Sequence, residues 1–385
     1  MCNFFDTYKK SDCNGCGACS LRCPKKAIKM IEDEEGFLYP TIDKEKCVNC
    51  GLCKKICSNN PVDCNQTSMY IAIAKNEDIL KTSASGGMFY LIARYIISKN
   101  GIVFGCKYDN DLNAIHDYTD TIEGLTAFQG SKYVRSDLKN SYKKVEDFLK
   151  QDRYVLFTGT PCQCAGLRAF LAKKYDKLIT CEIICHANAS PKIYKMYKNA
   201  LTKYYVKSDI KNIIFRDKKK GWKSRSVTII DKNNNITTEN SYLKAFGREL
   251  INRPSCYECR FCSLKRYSDF TIGDAWGIDK INPSIEDKNT GISLLGVNSK
   301  NAEKIFENIK SNMIYFNVDE KIAFSYNHHE NGKPTFVRKS FFNKIFNKKI
   351  NEQNIILNLK VYAFLSGCIN KINKTIKKCH FLVKD

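Results

Sequence analysis

The chain has 385 residues, 43% of them apolar, with 63 Lys and Arg against 40 Asp and Glu and a formal net charge of +23. This excludes a disordered, collagen-like or fibrous chain, and the length predicts two or three domains. No run of about 18 uncharged apolar residues occurs, so no membrane-spanning helix is expected, and the start, Met1-Cys2-Asn3-Phe4-Phe5-Asp6, lacks the basic and apolar regions of a secretory signal.

Twenty cysteines in tight, repeated spacings over so long a chain point to a reducing cytosol and to metal or cluster ligation rather than disulfides. Residues 13–23 read Cys13-Asn-Gly-Cys16-Gly-Ala-Cys19-Ser-Leu-Arg-Cys23, and residues 47–57 read Cys47-Val-Asn-Cys50-Gly-Leu-Cys53-Lys-Lys-Ile-Cys57. Both match C-x2-C-x2-C-x3-C, the run of bacterial two-cluster ferredoxins. Three thiolates two residues apart wrap one cubane only where the backbone turns tightly, which Gly15, Gly17 and Gly51 permit. The fourth Cys of each run serves the other cluster. Cys13, Cys16, Cys19 and Cys57 are therefore expected to hold one [4Fe-4S] cluster, and Cys47, Cys50, Cys53 and Cys23 the second. Zinc is the competing reading, but its sites pair two C-x2-C hooks and do not use triplets. Between the runs, Ala27–Ile31 and Phe37–Pro40 predict two strands about a turn at Glu32–Gly36. This α+β ferredoxin-like unit, residues 1–62, is too small to bury a core of its own and needs its clusters to hold together. The boundary is expected in the polar stretch Asn59–Ser68.

The body, residues 63–319, reads as an α/β domain with a largely parallel sheet. Met69–Ala74 predicts a strand. The Ser83-Ala-Ser85-Gly86-Gly87 turn then leads into the helical pattern Leu91–Ile97, which makes it an anion site in form, although serine N-capping explains it equally. Ile102–Gly105 is the next strand. Tyr154–Phe157 runs into Thr158-Gly159-Thr160-Pro161-Cys162-Gln163, a strand, a turn and a helix with Pro in its first turn. Such a carboxyl end is where open α/β sheets bind ligands. Leu178–His186 is a further strand, ending at Cys185. Cys256, Cys259 and Cys262 repeat the two-residue spacing without a nearby fourth ligand, and Cys162 and Cys185, each ending a strand, are candidates to approach the same point. Residues 320–385 predict a helical basic tail, either packed on the core or presented to a partner or membrane surface.

The ordered motifs Ser-x-Ser-Gly-Gly, Ser131-Lys132-Tyr133-Val-x-Ser, Gly-Thr-Pro-Cys-Gln, Ile-Cys-His, Arg253-Pro-Ser-Cys-x-x-Cys and Gly273-Asp-x-Trp-Gly resemble the coenzyme F(420) hydrogenase/dehydrogenase beta-subunit family over roughly residues 70–315, with Ala187 where that family usually has Gly. The resemblance implies an iron–sulfur flavoprotein, with FAD more usual than FMN. It implies that Ser83, Ser85, Gly86 and Gly87 cradle the flavin phosphates, that Ser131, Lys132 and Tyr133 sit by the isoalloxazine, and that Thr158, Gly159, Thr160 and Gln163 line the ring or ribityl chain. Cys162, Cys185, Cys256 and Cys259 would hold a third cluster, with Cys262 as the rival fourth ligand. Lys132 and His186 are the candidate catalytic groups, Lys132 stabilising the reduced flavin and His186 relaying protons, although His186 also reads as a structural histidine. His328 and His329 are expected at the surface, and Cys2, Cys64, Cys106, Cys164, Cys181, Cys368 and Cys379 as ordinary side chains.

The resulting expectation is a cytoplasmic oxidoreductase that takes single electrons from a ferredoxin-like carrier or redox partner subunit and delivers them in pairs to a small-molecule substrate. The alternative is a non-catalytic electron-transfer subunit. The positive charge is spread along the chain and reads as surface composition or as a docking face for an acidic carrier. With no recognition helix or finger spacing, nucleic acid is not an expected partner.

Overall fold

The computed structural model describes residues 8–60, 67–206, 208–285 and 288–382; Cys2 and Cys64 lie outside them, as does the side chain of Cys379. At the N-terminus β1 (Ile28–Glu32) and β2 (Leu38–Ile42) pair antiparallel, with Ile28 opposite Ile42. Short helices at Ala18–Arg22 and Leu52–Lys55 follow the two cysteine runs, each entered through a glycine in the left-handed region, Gly17 at φ 76° and Gly51 at φ 72°.

The body is built on an eight-stranded mixed sheet of β3 (Ser68–Ala74), β4 (Ile102–Tyr108), β5 (Ala114–Thr119), β6 (Val155–Gly159), β7 (Leu178–Ile183), β11 (Phe270–Asp274), β12 (Ser293–Val297) and β13 (Met313–Val318), in the order β13-β3-β12-β11-β7-β6-β4-β5. The four central strands, β11, β7, β6 and β4, are parallel. The flanking pairs are antiparallel. A second, three-stranded antiparallel sheet holds β8 (Ile210–Phe215), β9 (Val227–Asp231) and β10 (Ile236–Thr238).

Central strands covered on both faces carry apolar residues at consecutive positions rather than alternate ones, and Val155, Leu156 and Phe157 are all buried. Val103, Leu156 and Ile179 turn to one face, where the helix Met88–Ser98 contributes Leu91, Ile92 and Ile96. Ile102, Phe104, Val155, Phe157 and Leu178 turn to the other, against Tyr142, Val145, Leu167 and Phe170 of the helices Ser141–Lys150 and Pro161–Leu171. Ala18 of the N-terminal unit is buried in this second layer, so the cysteine-rich unit docks over the helix that follows β6.

The carboxyl ends of the parallel strands bring the motifs together. Gly159 lies opposite Glu182, and Ile183 opposite Ile272. The turns carrying Cys162, Cys185 and Asp274-Ala275-Trp276 therefore leave the same edge of the sheet. The C-terminal segment is helical at Glu320–Phe324, Phe336–Phe346 and Ile355–Leu382. Ile355, Ile356, Leu359 and Tyr362 are buried in the core, while Leu357, Val361 and Phe364 on the same helix are exposed. Among the described residues no helix is long and apolar enough to cross a membrane.

Candidate functional site

Cys57 of the second run lines a cavity with the first run, and Cys23 of the first lines a cavity with the second. Cys13, Cys16, Cys19 and Cys57 line one cavity, together with Tyr8 and Cys53. Cys23, Cys47, Cys50 and Cys53 line a second. Among the described residues no three His, Cys, Asp or Glu side chains converge as they would on a single metal ion. Gly15 stands at φ 68°, and Asn49, its counterpart in the second run, at φ 52°. Asparagine is the residue other than glycine that most readily takes this conformation, so Asn49 was a readable signal that glycine counting passes over.

Donors surround the sulfurs. The Gly15 amide lies 3.4 Å from Cys13 Sγ, the Ala27 amide 3.3 Å from Cys23 Sγ, and the Tyr8 hydroxyl 3.2 Å from Cys57 Sγ. Burial pushes the Cys16 thiol up to about 11 and raises those of Cys13 and Cys19. These thiols are protonated at neutral pH until a metal replaces the protons. The second cavity opens to solvent: Cys50 is exposed, and Lys25 and Lys54 lie at the rim. The first is buried between it and the body.

Behind the first cavity a third group of sulfurs gathers from three places in the chain. Cys185 feels the charges of Cys256, Cys162 and Cys259, and Cys259 those of Cys162 and Cys256, after burial as the main cause of their raised pKa. The Asn188 amide lies 3.3 Å from Cys256 Sγ. The Cys162 thiol alone is brought below its usual value: burial would raise it, but the Arg135 charge and hydrogen bonds from Thr160, Arg135 and Asn188 outweigh that. Cys262 lies at the margin of this group: it feels the charges of Arg266, Cys256, Glu330 and Glu249, and Cys259 feels that of Cys262. The first and third groups are in near contact. A Cβ on Gly166, four residues after Cys162 on its helix, would stand 2.7 Å from Cys16 Cβ.

The remaining predicted residues fall into two sets. Several are turned inward and satisfied. The Thr158 hydroxyl donates to Phe104 O at 2.8 Å. Gln163 Oε1 accepts from the Thr160 amide at 3.0 Å, and its Nε2 donates to Ser136 at 2.9 Å. Gly159 packs its Cα against the Gln163 side chain. Ser85 donates to Ile292 O at 2.7 Å, and the Gly86 amide to Ser293 Oγ at 2.9 Å. The Lys132 ammonium donates to the carbonyls of Ala127, Gln129 and Gly130, and burial lowers its pKa to about 8.

The others form a continuous line of contacts along the sheet edge. Lys218, absent from the sequence reasoning, donates to Leu80 O, Ser85 O and Thr290 O beside the Ser83–Gly87 turn, where Gly87 caps a helix at φ 88°. Arg216 pairs with Asp274 and lies 4.8 Å from the Trp276 ring. It bonds Tyr133, which also bonds Ser131. Tyr133 meets Phe246 with centroids 5.2 Å apart, and Phe246 meets His186 at 5.1 Å. His328 is not at the surface: it is half-buried, 4.6 Å from the His186 ring. Burial pushes His186 down to about 4, so it is neutral at pH 7. His186 Nε2 and Arg216 Nε are buried without hydrogen-bond partners among the described residues.

Comparison with known proteins gives two family matches: the C terminus of the coenzyme F420 hydrogenase/dehydrogenase beta subunit, over residues 152–321, and a 4Fe-4S dicluster domain over residues 12–60. The uncharacterized ferredoxin MJ0722 of Methanocaldococcus jannaschii is 38% identical over 53 residues, 14% of this chain and 68% of its own. The methylamine utilization ferredoxin-type protein MauM of Methylobacillus flagellatus is 40% identical over 52 residues, 13% of this chain and 22% of its own, so the chain spans about a fifth of that relative. A solved structure of the F420-reducing [NiFe] hydrogenase complex from Methanosarcina barkeri aligns at 17% identity and a TM-score of 0.46, covering 69% of this chain and 89% of that one.

Proposed function

Because this chain belongs to the coenzyme F420 hydrogenase/dehydrogenase beta-subunit family, as an iron–sulfur electron-transfer protein with a dicluster domain ahead of that family's C-terminal domain, we propose that it is a cytoplasmic oxidoreductase that joins three [4Fe-4S] sites to a flavin and reduces a small molecule by two electrons. The observation that carries this reading is the helix Pro161–Leu171, which bears Cys162 of the third group at one end and meets Cys16 of the first at Gly166. When bound, cubanes exchange single electrons and flavin exchanges one or two.

The residues of the chain have the following parts. Cys47, Cys50, Cys53 and Cys23 hold the site at the surface, where Lys25 and Lys54 favour an acidic carrier. Cys13, Cys16, Cys19 and Cys57 hold the buried middle site, and Cys162, Cys185, Cys256 and Cys259 the third. Gly87 and the helix start behind it receive the flavin phosphates, and Lys218, whose ammonium holds the carbonyls of Leu80, Ser85 and Thr290, fixes that turn. Tyr133, Phe246 and Arg216 flank the ring, and Lys132 fixes the turn that presents Ser131 and Tyr133. Neutral His186 keeps a ring nitrogen unpartnered beside that surface and holds or accepts a proton there. The family resemblance favours FAD over FMN. The family's description as a beta subunit favours a second reading, in which the chain feeds a catalytic partner; turnover by the isolated chain with a reduced carrier separates the two.

Iron content tests the third site. Anaerobically purified protein is expected to hold about 12 irons per chain at four per cubane. Cys256→Ala should hold about 8, and Cys262→Ala about 12, by colorimetric iron assay. An unchanged count in Cys256→Ala would remove the third site from the account.

A further inference from the structure

Two arginines bind the first cysteine run to the third cysteine group. Arg135 donates through Nη2 to Gly15 O at 2.9 Å and through Nη1 toward Cys162 Sγ at 3.7 Å. It therefore touches both sides of the junction. Arg253 is fully buried. Its Nε donates to Cys13 O at 2.8 Å and its Nη2 to Leu38 O at 2.9 Å, and its guanidinium lies 4.2 Å from the Tyr39 ring centroid. Three residues later the Cys256 amide donates to Arg253 O at 2.9 Å. Gly15 sits between the two: its carbonyl takes Arg135, and a Cβ there would stand 2.9 Å from Arg253 Nη1.

That Nη1 is buried with no hydrogen-bond partner among the described residues. The other bonds of both arginines go to backbone carbonyls and to one sulfur. A buried guanidinium without a counter-charge is costly. The nearest source of negative charge is thiolate sulfur, on Cys13 and Cys16 to one side and on Cys162 and Cys256 to the other.

We propose that Arg135 and Arg253 form a shared cationic clamp between the Cys13–Cys57 site and the Cys162–Cys259 site, and that their positive charge raises the reduction potential of both. This rests on the reading that both sites hold [4Fe-4S] clusters. Each added electron makes such a site more negative, and a fixed cation in a low-dielectric junction favours the reduced form. The surface site held by Cys23, Cys47, Cys50 and Cys53 lies outside the clamp and does not share the effect. The clamp thereby sets the middle and third sites downhill from the surface one.

Anaerobic potentiometric titration followed by electron paramagnetic resonance tests this in the full chain. In Arg135→Gln the reduction equilibrium constants of the middle and third sites are expected to fall tenfold or more, about 59 mV for a one-electron couple. The surface site should stay unchanged as the internal reference, and Arg135→Lys should stay within about threefold of the parent. Full iron in Arg135→Gln with an unchanged titration would overturn the proposal. If Arg135→Gln fails to hold iron and Arg135→Lys holds it, the charge is required and the proposal stands. If both fail, Arg135 only clamps Gly15 and the proposal falls. About 8 irons in the unmutated protein would show instead that the underlying three-site reading has failed.

Discussion

Cys16→Ser is expected to lose the middle cluster, about four irons per chain, and to release residues 8–60 from their folded state while the α/β body stays cooperative. The N-terminal unit buries few apolar side chains: Ala18, Ala27, Ile28, Phe37 and Ile56. A core of that size does not offset the entropy of ordering some fifty residues. Thiolate–metal bonds supply the difference, on the order of 10 kcal/mol for a structural site. The unit also leans on the body through Arg253 and through Arg338, whose Nη1 donates to Glu35 Oε1 at 3.0 Å. These contacts need the hairpin and the Cys13–Gly15 turn to be in place, so they are lost with the cluster. Because burial raises the thiols of Cys13 and Cys16, cluster assembly releases protons and weakens as the pH falls. Limited proteolysis and hydrogen exchange over residues 8–60, alongside iron assay, check the prediction. A fully protected N-terminal unit in iron-depleted Cys16→Ser would refute it.

The second large effect lies in the sheet. Glu182 on β7 is completely buried, and Arg266 Nη1 lies 3.2 Å from its Oε1, with Thr271 Oγ1 donating to the same oxygen at 3.2 Å. Arg266→Met should destabilise the body by about 3–5 kcal/mol, because it leaves a buried charge without its partner. Burial holds the Glu182 pKa above the ordinary carboxylate value, and Arg266, Ser268 and Thr271 pull against that rise. A carboxyl with a raised folded pKa keeps its proton longer in the folded state than in the unfolded one. Its contribution to stability is present below the unfolded pKa and is lost as pH rises through the folded one. Without Arg266 the folded pKa rises further, so the penalty should be smaller at pH 5 than at pH 8. Glu182→Gln/Arg266→Met should recover part of the loss. Denaturant unfolding at the two pH values measures this; a penalty independent of pH would show that Arg266 acts through packing on Phe324 (5.1 Å) rather than through charge.

How much of this was readable depends on the distance between partners in the chain. The ferredoxin runs carry their geometry locally: three ligands, a turn and a short helix within about eleven residues. The strands at Met69–Ala74, Tyr154–Phe157 and Leu178–His186 were visible as dense apolar segments because the sheet centre is covered on both faces, the last ending three residues earlier, at Ile183. The antiparallel flanks were not visible, since β12 and β13 join β3 from more than two hundred residues away. The gathering of Cys162 and Cys185 follows from two parallel neighbours ending at one edge. The approach of Cys256 and Cys259 depends on docking that no local pattern encodes. Arg135, Arg253, Arg216 and Lys218 were missed for the same reason: each takes its meaning from a residue on another element. Thr158, Gln163 and Lys132 show the reverse case, motif residues whose polar atoms are spent on the turns they build.

Stoichiometric reduction of anaerobically prepared protein by a strong one-electron reductant, with the chromophores followed optically, bears most directly on the claim that single-electron centres and a two-electron centre share this chain. Three cubanes and one flavin should take up about five electrons per chain, and heat should release about one flavin. Uptake of about two electrons, with no releasable flavin, would leave a dicluster ferredoxin attached to an inert body and would contradict the account.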